Sequence, residues 1–183
     1  MKSVLHKLVL TLTGLLSTQA ILAQESQVDL ERIRAYVEIS DRVSTAGQIG
    51  YDQIEAIKEA GFDAVVNLAP SHEPRNGREG FLVVEQGMTY MHIPVNWQHP
   101  SQRDLALFFD FMDANRDRKV FVHCFANMRV SVFVYLYRTL RLSETKEAAW
   151  KDVLRVWDPN EAEQWKQFIE EAQKEAGGAQ GKS

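Results

Sequence analysis

Cys124, Arg129 and the four residues between them, Phe125-Ala126-Asn127-Met128, are the part of this sequence whose types and spacing could do covalent chemistry. A short apolar run, Val120-Phe121-Val122-His123, leads into the cysteine, and an apolar helix is predicted from Val130 to Leu142. A thiol so placed stands at the carboxyl end of a buried strand and faces the amino end of a helix. The turn between them can aim its backbone amides inward at an anion, and Arg129 can add a two-pronged cationic clamp. An oxyanion held there would lie against a sulfur whose pKa the same field lowers. Group transfer through a covalent cysteine adduct is the natural use of such an arrangement. A lone cysteine is ordinarily a buried structural residue; its position before a turn and an arginine favours the reactive reading.

The elements that must position this loop follow from periodicity and punctuation. Residues 36–47 hold short alternating pieces, read as edge strands. Ile54 and Ile57 mark one face of a helix over 51–60, which Gly61 stops. Phe62 to Leu68 reads as a buried strand, and 69–78 as a polar, proline-containing loop. A helix follows over 79–86, ending at Gly87, and then a strand over 89–95. Ser101 is the N-cap of the next helix, with Asp104 at its third position and Leu105, Phe108, Phe109 and Met112 on its apolar face. The helix after Cys124 is apolar nearly all round and is predicted to be the buried central one. Two amphipathic helices close the chain. Ser143 is predicted to cap the first, and the box Asp158-Pro159-Asn160-Glu161 to open the second, which is predicted to stop at Gly177-Gly178 before a disordered tail over 177–183. Strands alternating with helices imply an α/β fold: one domain over 36–176, with a mostly parallel sheet of four to five strands covered on both faces. Active sites in such folds gather at the carboxyl ends of strands.

The 183 residues suffice for one domain with a proper core. Acidic residues outnumber basic ones, 25 to 21, with no basic stripe, which argues against nucleic-acid binding. Lys2, His6 and Lys7 precede an uncharged stretch from Leu8 to Ala23, with small residues at Ala20 and Ala23. Residues 1–23 read as a secretory signal peptide, shorter than the ~20 apolar residues of a membrane span. Residues 24–35 form a polar lead-in, and a periplasmic or secreted location follows, with no stable membrane span after cleavage. The single cysteine excludes an internal disulfide. The scattered histidines lack the paired spacing of a zinc site, so neither metal nor cofactor is expected.

At Val122-His123-Cys124, followed by Arg129 and then a hydroxyl residue, the chain resembles the cysteine-dependent tyrosine and dual-specificity phosphatases. The stretch from Ser44 to Leu68 also resembles small bacterial phosphatase-like proteins, including the domain found with beta-lactamase-like hydrolases. The resemblance covers nearly all of the chain after the leader. It implies that Cys124 is the nucleophile and that Arg129 binds the equatorial phosphoryl oxygens. It implies too that the amides of residues 125–129 complete an oxyanion cradle. His123 would support the thiolate through hydrogen bonding, or simply be a histidine satisfied at a strand end. Ser131 would assist thiolate release. The substrate would be a phosphorylated protein or a small phosphomonoester.

Two departures from the family pattern matter. The usual loop has five residues between cysteine and arginine and a hydroxyl directly after it; here there are four, and Val130 precedes Ser131. The turn lacks glycine, which leaves Asn127 for any left-handed position. Asn96, in the segment Ile93 to Pro100, stands where the family places an aspartic acid, and an amide cannot protonate a leaving phenolate. His99 in the same loop is the substitute acid to consider. Asp104 is accounted for by helix capping, and His72 and Glu73 are weaker choices. Trp97 could flank an aromatic phosphate. Three readings therefore compete: a phosphatase working through a cysteinyl-phosphate, a rhodanese-like sulfurtransferase carrying a persulfide on Cys124, and a non-catalytic phosphate-binding module. The four-residue spacing and the missing acid support the second, but the resemblance along the chain supports the first, which is the expected function.

Overall fold

The structure, a computed structural model, describes residues 30–180. The leader read over 1–23 and most of the lead-in lie outside the described residues. Five strands form one sheet in the order β1-β2-β5-β3-β4: β1 (Val37–Ser40), β2 (Val43–Ala46), β3 (Ala64–Asn67), β4 (Thr89–His92) and β5 (Val120–His123). The hairpin pair β1 and β2 is antiparallel, and every other pairing is parallel. The β1 strand is an edge, as expected of that region. Its partner β2 is not: it pairs with β5 and so stands beside the cysteine strand.

Alternation along β5 divides the core in two. Val120, Val122 and Cys124 face one apolar cluster, whereas Phe121 faces the other. The first cluster is closed by α4 (Gln102–Ala114), α5 (Met128–Leu140), α6 (Lys146–Leu154) and α7 (Glu163–Gln180). The second is closed by Leu30 and Ile33 of the lead-in, α1 (Ile54–Glu59) and α3 (Glu79–Glu85). A short α2 (Glu73–Asn76) interrupts the polar loop read over 69–78. Helix α5 is buried at every residue from Arg129 to Tyr137, which agrees with an apolar pattern that leaves no solvent face.

Caps fix most of the boundaries. Ser101 Oγ accepts the Asp104 amide at 3.2 Å to start α4. Helices α1 and α3 end where Gly61 (φ 83°) and Gly87 (φ 73°) take left-handed turns. The carboxyl-terminal elements depart from the sequence reading. Thr145 caps α6 by accepting the Ala148 amide, while Ser143 sits at φ 58° in the turn before it. The Asp158 box forms only a 3-10 turn, because Ala162 is extended (φ −129°) and α7 starts after it. That helix runs through Gly177 and Gly178 to Gln180, so these glycines do not begin a tail. Neither has a positive φ, and a glycine inside a helix costs only about 1 kcal/mol.

Candidate active site

Cys124 is the point where β5 leaves the sheet. Its amide still bonds to Ala46 O at 3.3 Å, and Phe125 O accepts the Gln48 amide at 3.3 Å, so the turn is tethered to the exit of β2. Asn127 then adopts φ 63°, ψ −4°, the left-handed position assigned to it from the sequence. Asparagine tolerates that conformation better than other side chains. Here its Nδ2 also donates to Ala35 O at 2.7 Å and Thr45 Oγ1 at 3.0 Å, which locks the turn against the lead-in and β2. Helix α5 begins at Met128. The amides of Met128, Arg129 and Val130 find no acceptor among the described residues, as first-turn amides ordinarily do not. An anion at this helix end would meet donors and the positive end of the helix dipole together.

Arg129 is held in two ways. Its Nε donates to Val95 O at 3.0 Å, and its guanidinium lies over the Trp97 ring at 5.2 Å. It makes no further hydrogen bond among the described residues, so both terminal nitrogens keep their donors for a bidentate oxyanion. Trp97 packs against Trp157 and Trp165 at 5.3 and 5.2 Å between ring centroids. Its ring is thus the floor under the arginine rather than a free wall for a substrate. Cys124 has no exposed surface: the thiol belongs to the apolar cluster beneath the turn.

The other expected residues fall elsewhere. The His123 side chain points away from Cys124, on the opposite face of β5, because neighbours in a strand alternate. Its Nε2 lies 2.7 Å from Glu79 Oε1, with both side chains fully buried. Imidazole support of the thiolate is therefore replaced by the strand-end role. Ser131 donates its hydroxyl proton to Met128 O at 2.9 Å and accepts Trp157 Nε1 at 3.1 Å. That proton is engaged within the helix in this structure, not at the thiol. Asn96 Oδ1 accepts the Gln98 and His99 amides at 2.9 and 3.2 Å, so it builds a turn. His99 is exposed in that turn, and Asp104 serves the start of α4. His72 meets the edge of the Phe125 ring at 6.1 Å, and Arg75 of α2 lies over the same ring at 5.0 Å, so the loop after β3 reaches the cysteine turn.

Sequence reasoning missed the polar layer below the turn. Glu79 Oε1 accepts Tyr90 OH at 2.9 Å and Asn67 Nδ2 at 3.0 Å besides His123, and Glu79 Oε2 accepts Gln48 Nε2 at 3.1 Å. In the sequence Glu79 is simply the first residue of the helix expected over 79–86. Nothing in its spacing distinguishes a buried carboxylate from an exposed one. Trp157 was also missed as the residue whose indole N–H ties the start of α5, donating to Met128 O at 3.0 Å.

Comparison with known proteins supplies the context for this geometry. Residues 17–131 match the family described as "Polymorphic toxin system, DSP-PTPase phosphatase". A protein assigned to the DUF442 phosphatases, from Shewanella putrefaciens CN-32, is 32% identical with a TM-score of 0.70, over 81% of this chain and 97% of that one. TpbA of P. aeruginosa, solved as a variant in complex with phosphotyrosine, shares the fold at 12% identity and a TM-score of 0.60, over 74% and 82% of the two chains. A phosphatase-like protein of Neisseria meningitidis shares it at 15% identity and 0.55, over 67% and 88%. No curated protein matches the chain.

Proposed function

The chain belongs to the DSP-PTPase phosphatase family, and from that premise we propose that it hydrolyses phosphomonoesters, aryl phosphates such as phosphotyrosine among them, through Cys124. One observation carries this reading. The free amides at the start of α5 and the unengaged end of Arg129 belong to the helix that directly follows the chain's single cysteine, at the carboxyl end of the central strand.

In the proposed reaction the phosphoryl oxygens lie on the α5 amides and the two terminal nitrogens of Arg129, which stabilise the charge that builds on them. The Cys124 thiolate attacks phosphorus as the P–O bond to the leaving group breaks, giving a cysteinyl-phosphate and an aryloxide. Water then attacks phosphorus, the S–P bond breaks, inorganic phosphate leaves and the thiolate returns. Asn96 cannot protonate the leaving oxygen, and its own oxygen is committed to the turn. Hydrolysis is therefore expected to favour substrates that leave as stable anions, with rates falling steeply as the leaving phenol becomes less acidic. Cys124 has no exposed surface, so a local movement of the groups that cover it must precede attack.

Purified protein is expected to release phosphate from an activated aryl phosphate, and Cys124→Ser to abolish it. Undiminished turnover in that variant would end the proposal. The four-residue loop and the missing acid also favour a sulfurtransferase. For that reading, thiosulfate must load one sulfur onto Cys124 by intact mass and yield thiocyanate with cyanide. Export is part of the same proposal, supported by the charged and then apolar start of the sequence. Recovery of the expressed chain in the cytosolic fraction with residues 1–23 still attached would contradict it.

A further inference from the structure

We propose that Glu79 is a positioning residue for the cysteine turn: one buried carboxylate that ties together the strand ends from which the turn is hung. The inference rests on the reading of Cys124 as the nucleophile.

Glu79 is wholly buried at the amino end of α3, on the face of the sheet opposite the thiol. A carboxylate removed from water is costly unless its oxygens are filled with donors. Here four donors converge, each from a different segment: Gln48 beyond β2, Asn67 ending β3, Tyr90 in β4 and His123 ending β5. Each of three segments has a second attachment close to Cys124. The Gln48 amide holds Phe125 O. His123 O accepts the Leu68 amide, and Asn67 Oδ1 accepts the Ala69 amide at 2.7 Å, which fixes the exit of β3 next to the cysteine strand.

Two local features show that the site is shaped around the carboxylate. Gly80 follows it, and a Cβ there would lie 2.8 Å from the Tyr90 ring, so only glycine lets that ring close over the first turn of α3. Burial, reinforced by the Glu79 charge, pushes the Tyr90 phenol pKa upward, which keeps its proton available for donation. The ionisable groups in contact with Glu79 are Tyr90 from β4 and His123 from β5, with Tyr51 acting on Tyr90. Those at the turn are Arg129, which follows it in sequence, and Arg75 and His72 against Phe125.

Glutamine at 79 can keep most of this arrangement, because one side-chain oxygen still accepts Tyr90, Asn67 and His123, and only the Gln48 contact is given up, whose Nε2 also donates to Ile49 O and Arg75 O. Alanine cannot. The test measures, on the purified chain, steady-state kinetics with an aryl phosphate and the rate of Cys124 alkylation by iodoacetamide at fixed pH. The second readout needs no substrate, so it separates this proposal from the phosphatase reading. In Glu79→Ala, kcat is expected to fall roughly a hundredfold with KM changing less, as for a reacting group displaced by about 1 Å. The alkylation rate should rise, because a loosened turn uncovers the buried thiol. Glu79→Gln should keep kcat within about tenfold and stay near the wild-type alkylation rate, three of its four donors being retained. Val83→Ala, a core change on the same helix, is the control for lost stability. If Glu79→Ala leaves the alkylation rate unchanged, or Val83→Ala raises it equally, the proposal fails. Should Glu79→Ala not fold, Glu79→Asp, too short to reach all four donors, replaces it with the same expectations.

Discussion

His123, the last residue of β5, and Cys124, the residue after it, live in opposite surroundings. Cys124 faces an apolar cluster and lies among valines and aromatic rings, whereas His123 faces a buried acid with donors drawn from across the sheet. Strand alternation alone produces the contrast. It teaches a division of labour. The apolar face keeps water from the sulfur and packs the half-buried rings under Arg129, which lowers the dielectric near the head of α5. The polar face carries no reacting group, yet it fixes the strand ends that set the shape of the turn.

The largest effect expected from breaking the thiol face, short of removing the sulfur, comes at Arg129. Lysine cannot present two parallel donors while its stem is pinned, so Arg129→Lys should lower kcat/KM by about ten- to a hundredfold, the worth of one or two charge-assisted bonds. Steady-state kinetics on an aryl phosphate measure it. Trp97→Phe keeps a ring under the guanidinium but shrinks the platform. A loss of about two- to tenfold is expected, the scale of a partly desolvated cation–π contact, and an unchanged rate would show that the floor is dispensable.

On the polar face, Tyr90→Phe deletes one donor to Glu79 and should cost about 1–2 kcal/mol in a denaturation experiment at neutral pH. The sign of its pH dependence follows from the raised phenol pKa. A folded value above the unfolded one gives stability that is complete below the ordinary tyrosine range, near about pH 10, and lost as pH rises beyond it. Wild-type stability should therefore decline more steeply at alkaline pH than that of Tyr90→Phe, and parallel curves would contradict the assignment. The smallest change expected is Asn96→Asp. Restoring an acid to that position would ordinarily be worth ~10²–10⁴ in rate. The side chain here accepts two turn amides, so an aspartate should remain an ionised cap. A gain below about tenfold is expected; a larger one would show that the turn opens to deliver the carboxyl.

How much of this was legible in the sequence follows the range of the interactions. Local signals were readable: the apolar run ending at Cys124, Asn127 as the left-handed residue of a turn without glycine, Ser101 as a cap, and Gly61 and Gly87 as stops. Each rests on chemistry within a few residues. The carboxyl-terminal errors arose where local rules compete. Thr145 displaced Ser143 as a cap, and α7 continued through two glycines that no left-handed turn required. The interior position of β2 depends on pairing with a strand some eighty residues away, which short alternating pieces cannot reveal. Glu79 was invisible for the same reason. Its partners lie 11 to 44 residues distant, and only the assembled sheet brings them to one carboxylate.

Release of the aryloxide in the first turnover, followed by rapid quench and intact mass, interrogates the sulfur most directly. While Ser131 donates to Met128 O it gives no help to breakdown of the proposed adduct. With an activated aryl phosphate, one equivalent of leaving group per chain should therefore appear in a burst. A single phosphoryl group should be found on Cys124, and neither should occur in Cys124→Ala. Linear release with no adduct, at a rate unaffected by that substitution, would contradict the role given to Cys124.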